Sequence, residues 1–488
     1  MPLSLQRRAF LAALAATVVR PGAAHAAPAT GESRSDMAEQ LAGYVDSVHY
    51  TDLSPAVVEL ARSHFIDAIG CAIAAFNEAP VRAVRDVALT VPGGVATILG
   101  TNRRTTLEWA TFANGGAIRH FDLNDVYAGR ETGHPSDNIA PCLAVAEAEG
   151  RSGQELILAI VLAYEIDCRL LDTVRISARG WDHPNFSLPA AALAAGKLMR
   201  LPPPQLAEAV NLAIAGHLAP NQTRVQVMSN WKGLADADAA RNAVFAAQLA
   251  RGGITGPAPI FEGDAGFFKQ VSGPFTLDID QFGGRSGSFR LAACSIKFYP
   301  AQAHTQTAIL AAVKIAHEIG DLGRIQSIAV DTTQPGFAYT AGEPAKWAPE
   351  TSETADHSLP YIVVRAMLDG EITVHSYTPE ALHDPRALAL MKTLTVKEDP
   401  ALTRLYPQKI PNRVTVTLED GRVLSEQVDE LPGLPGRPMT RDDVEAKFRM
   451  GVKGIWGEQQ TRDFLDYAWN LDQAREVSGL SRHMVVGG

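Results

Sequence analysis

The sequence predicts a mainly α-helical protein, with one large all-helical region and a smaller region of mixed helices and strands. Alanine-rich stretches with helical spacing of apolar residues recur between residues 35 and 275. The composition changes near Gly273, and strand-like and helix-like stretches alternate beyond it. After a Pro/Gly-rich linker at residues 431–438 the pattern is helical again.

The helical region is expected to open with a long helix at about residues 54–76. Ser54 is an N-cap candidate, and Pro55 suits the first helical position because the missing amide proton has no partner there. Alanine combines the highest helix propensity with a side chain small enough for close helix packing. The other alanine-rich helices are predicted at residues 139–148, 155–171, 189–199, 205–215 and 235–250.

The mixed region is expected to follow a flexible joint at residues 283–287. Residues 325–331 alternate in the manner of a strand, and residues 304–318 have helical spacing. The segments 414–418 and 423–428, separated by Asp420-Gly421, predict a hairpin with a type I′ turn. Helices are then expected at residues 441–450 and 459–470.

Composition describes an ordinary soluble globular protein. Of 488 residues, 46% are apolar and 20% charged, and the formal charge is −10. This acidic balance, without a compensating Lys/Arg run, argues against a nucleic-acid partner. Past the N-terminus no apolar run approaches the ~20 residues that span a bilayer.

Residues 1–26 are typical of a signal peptide. Arg7 and Arg8 precede a short apolar stretch at residues 12–19, and Ala24-His25-Ala26 is a small-residue cleavage candidate. The paired arginines indicate the twin-arginine route, so we expect folding before export and action in the periplasm. The alternative is a basic start to an ordinary first helix.

The four cysteines have no spacing typical of a cluster or zinc site. In an oxidising compartment they could form two disulfides. Because a chain this long has its own core, we expect buried free thiols instead. They are Cys71, Cys142, Cys168 and Cys294.

The densest group of chemically active side chains lies at residues 120–136. It contains His120, Asp122, Asp125 and His134 on a loop between predicted helices. Such a group could bind a metal or transfer protons. No helix-borne metal motif supports a hydrolytic metal site. The remaining interpretation is a loop capped by aspartates, with solvated histidines.

Three more residues are candidates by their surroundings. His183 lies among turn-forming residues just before a helix, where a capping role is the alternative to catalysis. Lys232 precedes a glycine, and Lys297 lies between Ile296 and Phe298. A lysine in so apolar a setting is either a buried cation that binds an anion or a side chain that reaches solvent along its stem.

These motifs together resemble the MmgE/PrpD family, whose members include 2-methylcitrate dehydratases, cis-aconitate decarboxylases and an iminodisuccinate epimerase. The resemblance runs from about residue 37 to residue 470 and rests on the order and spacing of short motifs. They are residues 67–70, 114–125, 134–136, 152–155, 164–165, 181–183, 232–233, 253–257, 261–267, 297–300 and 356–361.

The resemblance implies a helical domain at residues 27–275, a smaller α+β lid domain at 276–436, and C-terminal helices at 437–488 that return to the helical domain. It further implies a homodimer with the active site between the two domains. The implied catalytic residues are Asp122, His134, His183 and a lid tyrosine within residues 337–339, taken as Tyr339; Lys232 and Lys297 are implied to bind substrate.

The chain also departs from the family pattern. Asn124 stands where the family often has Asp, and Val126 stands where cis-aconitate decarboxylases have Thr. An insertion at residues 127–131 lengthens the loop before His134. These differences weaken any transfer of substrate identity, and the export signal argues against a housekeeping role.

The expected function is that of a cofactor-independent lyase acting on a small hydroxy di- or tricarboxylate. The family's common step makes or quenches a carbanion beside a carboxylate, so the site must neutralise carboxylates and stabilise enolate charge. Lysines supply the charge, histidines exchange protons near neutral pH, and Asp122 could orient an imidazole. We expect no metal and no cofactor. Decarboxylation or epimerisation by the same family, and a periplasmic carboxylate-binding protein without turnover, are the alternatives.

Overall fold

Helices form most of the structure, a computed structural model that describes residues 35–92 and 94–487. The mainly α fold with a smaller α+β region is confirmed. The α-helices described between residues 35 and 251 are α1 (Met37–Ser47), α2 (Pro55–Ala74), α3 (Ala79–Ala88), α4 (Leu107–Arg119), α5 (Ile139–Ala148), α6 (Gly153–Leu171), α7 (Pro184–Leu198), α8 (Pro203–Gly216) and α9 (Ala235–Arg251).

The central helix of this region, α7, shows why alanine is abundant. It packs against α6, α8 and α9 at once, and residues 190–195 are at most 1% exposed. Small side chains let helices on all sides approach the same backbone. The long helix α2 begins as predicted, with Ser54 Oγ accepting from the Val57 amide and Pro55 in the first turn.

Two short antiparallel pairs interrupt the helices. Strand β1 (Ala96–Thr97) pairs with β2 (Arg104–Thr105), and β3 (Tyr127–Ala128) pairs with β4 (Thr132–Gly133). The second pair contains the inserted residues 127–131. Its Glu131 amide donates to the Leu171 carbonyl at 2.9 Å, which fastens the insertion to the end of α6.

The α+β region carries a four-stranded sheet made of β5 (Ile325–Thr332), β6 (Leu394–Glu398), β7 (Asn412–Leu418) and β8 (Val423–Val428). The strands lie in the order β6-β5-β7-β8. Strand β5 is parallel to β6, and the other pairs are antiparallel. Helices α10 (Gln306–Ile319) and α13 (Leu359–Asp369) pack on the sheet, and Val414, Val416 and Leu418 of β7 lie buried. The other helices of this region are α11 (Gln334–Thr340), α12 (Ser352–Ala355), α14 (Pro379–Leu382), α15 (Pro385–Met391) and α16 (Pro400–Thr403).

The predicted β7–β8 hairpin is present, but its turn is not type I′. The Gly421 amide donates to the Leu418 carbonyl, and the Leu418 amide donates to the Arg422 carbonyl. In this described loop only Gly421 has a positive φ, 83°. A three-residue loop that ends in a left-handed glycine therefore replaces the two-residue turn, which needs positive φ at both central residues.

The C-terminal helices α17 (Arg441–Val452) and α18 (Glu458–Trp469) pack against α2. The buried apolar side chains form two main clusters. One combines residues 37–296 with residues 444–484, and the other contains only residues 301–428. Both apolar clusters lie in one compact unit that begins at Asp36. The domain boundaries expected at residues 275 and 436 stay predictions.

One sequence-based expectation, the signal peptide at residues 1–26, lies outside the described residues. Within the described part, every helix is too short or too polar to cross a bilayer. The four cysteines are unpaired thiols in the structure; Cys71, Cys142 and Cys168 are buried, and Cys294 is partly buried.

A buried ion pair fastens α17 to the helical core. Lys447 Nζ lies 2.5 Å from Asp67 Oδ1 and donates to the Leu123 carbonyl at 2.8 Å, next to Asp122. Both charged side chains are almost fully buried. Because a buried charge without its partner is costly, this pair connects the position of α17 to that of the loop at residue 122.

We expect Lys447→Met to lower the free energy of unfolding at neutral pH by roughly 3 kcal/mol, because it leaves Asp67 buried without a cation. Burial already raises the pKa of Asp67, so a proton can replace the lysine, and the loss should shrink as the pH falls. Urea unfolding measures both effects. Lys453→Met, at an exposed position beyond α17, is the control; equal losses in the two variants would contradict the prediction.

Candidate active site

A cavity of about 410 Å³ lies where the helical core meets the α+β region. The helical side of its wall contains His134, His183 and Arg224. The α+β side contains Tyr339 and Lys346, together with His357. Of the six residues proposed from the sequence, three line this cavity, namely His134, His183 and Tyr339. The other three, Asp122, Lys232 and Lys297, are not part of its wall.

Asp122 occupies the loop that leaves the end of α4. Its backbone φ is 52°, a left-handed value that non-glycine residues rarely adopt. Lys297 Nζ donates to both the backbone carbonyl of Asp122 and its Oδ2, the latter at 2.6 Å. These two bonds hold the residue in the strained conformation and aim its carboxylate inward.

Three cations surround the Asp122 carboxylate. Arg119 contacts Oδ1, Lys232 Nζ lies 3.5 Å from Oδ1, and Lys297 Nζ lies 2.6 Å from Oδ2. Burial alone would raise the pKa of Asp122, but Lys232, Lys297 and Arg119 hold that pKa well below its usual range. Asp122 is therefore a permanent anion.

Lys232 and Lys297 are both completely buried and paired with protein carboxylates. Lys232 Nζ lies 2.8 Å from Asp356 Oδ2, which brings the α+β region to the same cluster. Burial lowers the pKa of Lys297 to about 8, against the opposing pull of Asp122. Neither lysine is part of the cavity wall described above, and direct contact of either with substrate stays a prediction.

His134 lies in the cavity wall as a neutral imidazole. Its Nδ1 is 2.6 Å from the backbone carbonyl of Asp125, which can only accept, so Nδ1 carries the proton and Nε2 the lone pair. Burial, reinforced by Arg119 and Lys297, holds the pKa of His134 well below its usual value. This is the protonation state of a general base.

His183 has the opposite charge state. Its Nδ1 lies 3.0 Å from Asp182 Oδ1, and its Nε2 lies 3.0 Å from Asp236 Oδ1. Burial favours the neutral ring, but Asp236 and Asp182 outweigh it and raise the pKa of His183 to about 10. The two histidine rings are 5.4 Å apart, so an imidazolium adjoins a neutral imidazole.

Tyr339 reaches the cavity from α11. Arg175, on the helical side, donates from Nη2 to the Tyr339 hydroxyl at 2.9 Å. Burial raises the pKa of Tyr339, so the phenol keeps its proton. Because Arg175 can only donate, that proton is available to another acceptor in the cavity.

Two stretches of the chain match models of the same protein family. Residues 39–280 match the MmgE/PrpD N-terminal domain, and residues 299–473 match the MmgE/PrpD C-terminal domain. The chain belongs to the MmgE/PrpD family. The resemblance that the motifs indicated is thereby confirmed.

Curated relatives of this MmgE/PrpD chain carry related names. A 2-methylcitrate dehydratase of Cupriavidus necator is 30% identical, over 91% of this chain and 95% of the relative. A 2-methylcitrate dehydratase-like protein of Aspergillus oryzae is 30% identical, over 85% and 88%. A cis-aconitate decarboxylase-like protein of the same species is 25% identical, over 90% and 95%.

Sequence reasoning missed the charged residues that set the state of His183. Asp236 lies at the start of α9, four residues after Lys232, and Arg224 joins it at 2.8 Å. Asp182 precedes His183 directly and pairs with the same arginine at 2.9 Å. Proximity to the motif residues could have indicated the two aspartates, but no sequence pattern marks Arg224.

One group of side chains in the described part of this MmgE/PrpD chain has the spacing of a metal site. Asp137, His183 and Asp236 offer ligand atoms within 4.8 Å of one another. Burial and Asp236 raise the pKa of Asp137 well above its usual value, so a proton occupies the carboxyl. A metal ion would have to displace the protons of both Asp137 and His183. The absence of a functional metal stays a prediction.

The inserted loop at residues 127–131 borders the site. Glu131 lies in the cavity wall, and its Oε2 accepts from the Ser177 amide at 2.8 Å. Tyr127 donates to Asp172 at 2.9 Å. The insertion is thus fixed against the segment that carries Arg175, which gives it a structural connection to the cavity's rim.

The two histidines should titrate at opposite ends of the pH range. Imidazole NMR should show His183 with a pKa near 10, raised by its two aspartates, and His134 neutral throughout the neutral range. Substitution of each by Gln assigns the signals. A His183 signal that titrates near pH 6.5 would contradict the double ion pair.

The raised pKa of His183 also makes the stability of the protein depend on pH. The folded state keeps the His183 proton up to about pH 10, whereas the unfolded state releases it near pH 6.5. The contribution of this proton to the free energy of unfolding is therefore complete below pH 6.5 and is lost as the pH rises to about 10. The stability advantage of wild type over His183→Gln should therefore fall over that window, by up to roughly 5 kcal/mol. Urea unfolding at several pH values measures it.

Proposed function

We propose that the protein is a lyase that removes water from a small hydroxy di- or tricarboxylate, in the manner of 2-methylcitrate dehydratase and without a cofactor. One observation carries the proposal: a neutral imidazole, His134, shares a cavity with several cationic side chains. Removal of a proton beside a carboxylate needs both a neutral base and nearby positive charge. The names of the relatives support the same reaction class.

The positive charge comes from a preorganised cluster. Around Asp122 and Asp356, the cations of Arg119, Lys232 and Lys297 leave one net positive charge. Buried groups locked by ion pairs need little reorganisation when enolate charge develops. The lysines thus contribute to the field in the site whether or not they contact the substrate.

The proton transfers can be assigned to residues on the two sides of the cavity. His134 Nε2 takes the proton from the carbon beside a carboxylate, and that electron pair becomes the new carbon–carbon double bond. The carbon–oxygen bond breaks, and Tyr339 gives its proton to the departing hydroxide, which leaves as water. Arg175 stabilises the resulting phenolate, and the proton on His134 returns to Tyr339 through solvent.

Decarboxylation is the second candidate, favoured by the cis-aconitate decarboxylase-like relative. In that reaction the carbanion forms by loss of carbon dioxide, and a protonated group must then quench it. Epimerisation would reprotonate the same carbanion without loss of a group. A carboxylate-binding protein would show affinity without either chemistry.

The test is a proton NMR time course with hydroxy and unsaturated polycarboxylates in deuterated buffer. We expect solvent deuterium at the carbon beside the carboxylate, together with loss of water. His134→Gln should remove both by a factor of 10² or more, since the variant lacks the base. Tyr339→Phe should keep the exchange but slow elimination by about a hundredfold.

The exposed His49 provides the matched control, because His49→Gln removes an imidazole that is not part of the cavity wall. Full activity of His134→Gln would overturn the assignment of the base. Binding of the panel with neither exchange nor elimination in the wild type would favour the binding-protein alternative.

We also propose export by the twin-arginine route and assembly as a homodimer, the latter from the family resemblance. The support for export is Arg7-Arg8 ahead of an apolar stretch and the cleavage candidate at residues 24–26. Replacing both arginines by lysine should leave an uncleaved cytoplasmic precursor, whereas periplasmic fractions of the wild type should contain a chain that starts near Ala27. Efficient export of the double variant would refute the twin-arginine route. Light scattering measures the mass of the assembly, which should be that of two chains.

A further inference from the structure

Lys346 is a cation of the cavity wall for which sequence reasoning found no role. It lies in a short turn, Pro344–Trp347, between α11 and α12. Its side chain is 2% exposed, and its Nζ has no hydrogen-bond acceptor among the described residues. A buried ammonium without a partner is costly, because burial removes its hydration and returns nothing.

The other buried cations near the cavity are already paired. Arg224 contacts Asp182 and Asp236, and His183 is bound by the same two carboxylates. Arg119 contacts Asp122. Within the described part of the cavity wall, Lys346 is therefore the buried cation whose Nζ forms no ion pair or hydrogen bond with a protein carboxylate.

The turn that carries Lys346 is held from several directions. The Ser358 hydroxyl donates to the Lys346 carbonyl, and Trp347 Nε1 donates to the Ala341 carbonyl at 2.8 Å. Glu343, at the start of the turn, accepts from the Gln226 amide of the helical side at 3.1 Å. A lysine on so fixed a turn is preorganised, and preorganisation lowers the entropic cost of binding.

We propose that Lys346 binds a carboxylate of the substrate and so determines the number and placement of carboxylates that the site accepts. This inference rests on the proposed function, because it assigns a substrate group to that same cavity. Lys232 and Lys297 differ from Lys346 in this respect, since Asp122 and Asp356 already neutralise them.

The charges around Lys346 provide a readout. Burial lowers the pKa of Lys346 to about 8; Glu343 on its own turn and Asp356 beyond α12 oppose the shift, and Lys232 from the helical side adds to it. His357 also faces the cavity. A carboxylate bound at Nζ would raise this pKa, so binding at pH 8 should draw in about half a proton.

The experiment is calorimetric titration with propane-1,2,3-tricarboxylate at pH 8, in buffers of different ionisation enthalpy. For the wild type we expect binding with proton uptake. Lys346→Met should weaken binding about ten- to a hundredfold and abolish most of the uptake. Its melting temperature should not fall, because the change removes an unpaired buried charge. If the lysine had only a structural role, its replacement would lower the melting temperature and leave affinity and proton uptake unchanged.

Lys314→Met is the matched control, since Lys314 is a half-exposed lysine of α10 paired with Glu426 away from the cavity. It changes the net charge equally and should leave affinity and proton uptake unchanged. Lys346→Gln serves in the same titration should Lys346→Met not fold. Wild-type affinity and uptake in whichever variant folds would overturn the inference, as would failure of the wild type to bind the tricarboxylate.

Turnover measured in parallel separates this inference from the proposed function. Loss of tricarboxylate affinity in Lys346→Met, without turnover of any hydroxy polycarboxylate by the wild type, would support the role of Lys346 and refute the lyase. If the wild type turns over a substrate and Lys346→Met does so equally well, carboxylate binding by Lys346 is refuted. The proposed lyase activity is then still supported.

Discussion

The buried ion cluster around Asp122 is the interaction on which the rest of the site depends. It joins four segments that are remote in sequence: the end of α4, the turn at Lys232, the segment at Lys297 and the α+β region at Asp356. Removing one member would leave charges buried without partners, which costs several kcal/mol. The cluster therefore fixes where the α+β region sits against the helical core, and the cavity lies along that contact.

The same cluster explains why two adjacent histidines differ in charge. His134 is buried on the positive side, so burial first, and then Arg119 and Lys297, disfavour a further proton and keep its pKa low. His183 lies between Asp182 and Asp236, which retain one. Two identical side chains 5.4 Å apart thus become a neutral base and a permanent cation because their neighbours have opposite charge. This division suits a reaction that needs both a base and positive charge.

Backbone conformation adds to this organisation. Asp122 keeps a left-handed φ of 52° because Lys297 binds its carbonyl and its carboxylate together. Next to it, the Leu123 carbonyl accepts from Lys447 of α17. The loop that leads to His134 is thereby held by lysines from the start of the α+β region and from a C-terminal helix. Backbone strain at Asp122 is balanced by contacts from distant parts of the chain.

The sequence by itself determined the fold class, most helix positions and the family, because helical spacing, capping residues and ordered motifs are local signals. It also selected His134, His183 and Tyr339, which the structure brings to one cavity. It missed Asp236, Arg224 and Lys346, and it left the partners of Lys232 and Lys297 open. Only the tertiary structure decided these, because the charge state of a buried group depends on which side chains lie within a few ångströms. Those side chains come from segments that are distant in sequence, such as Asp122 and Lys297, which are 175 residues apart.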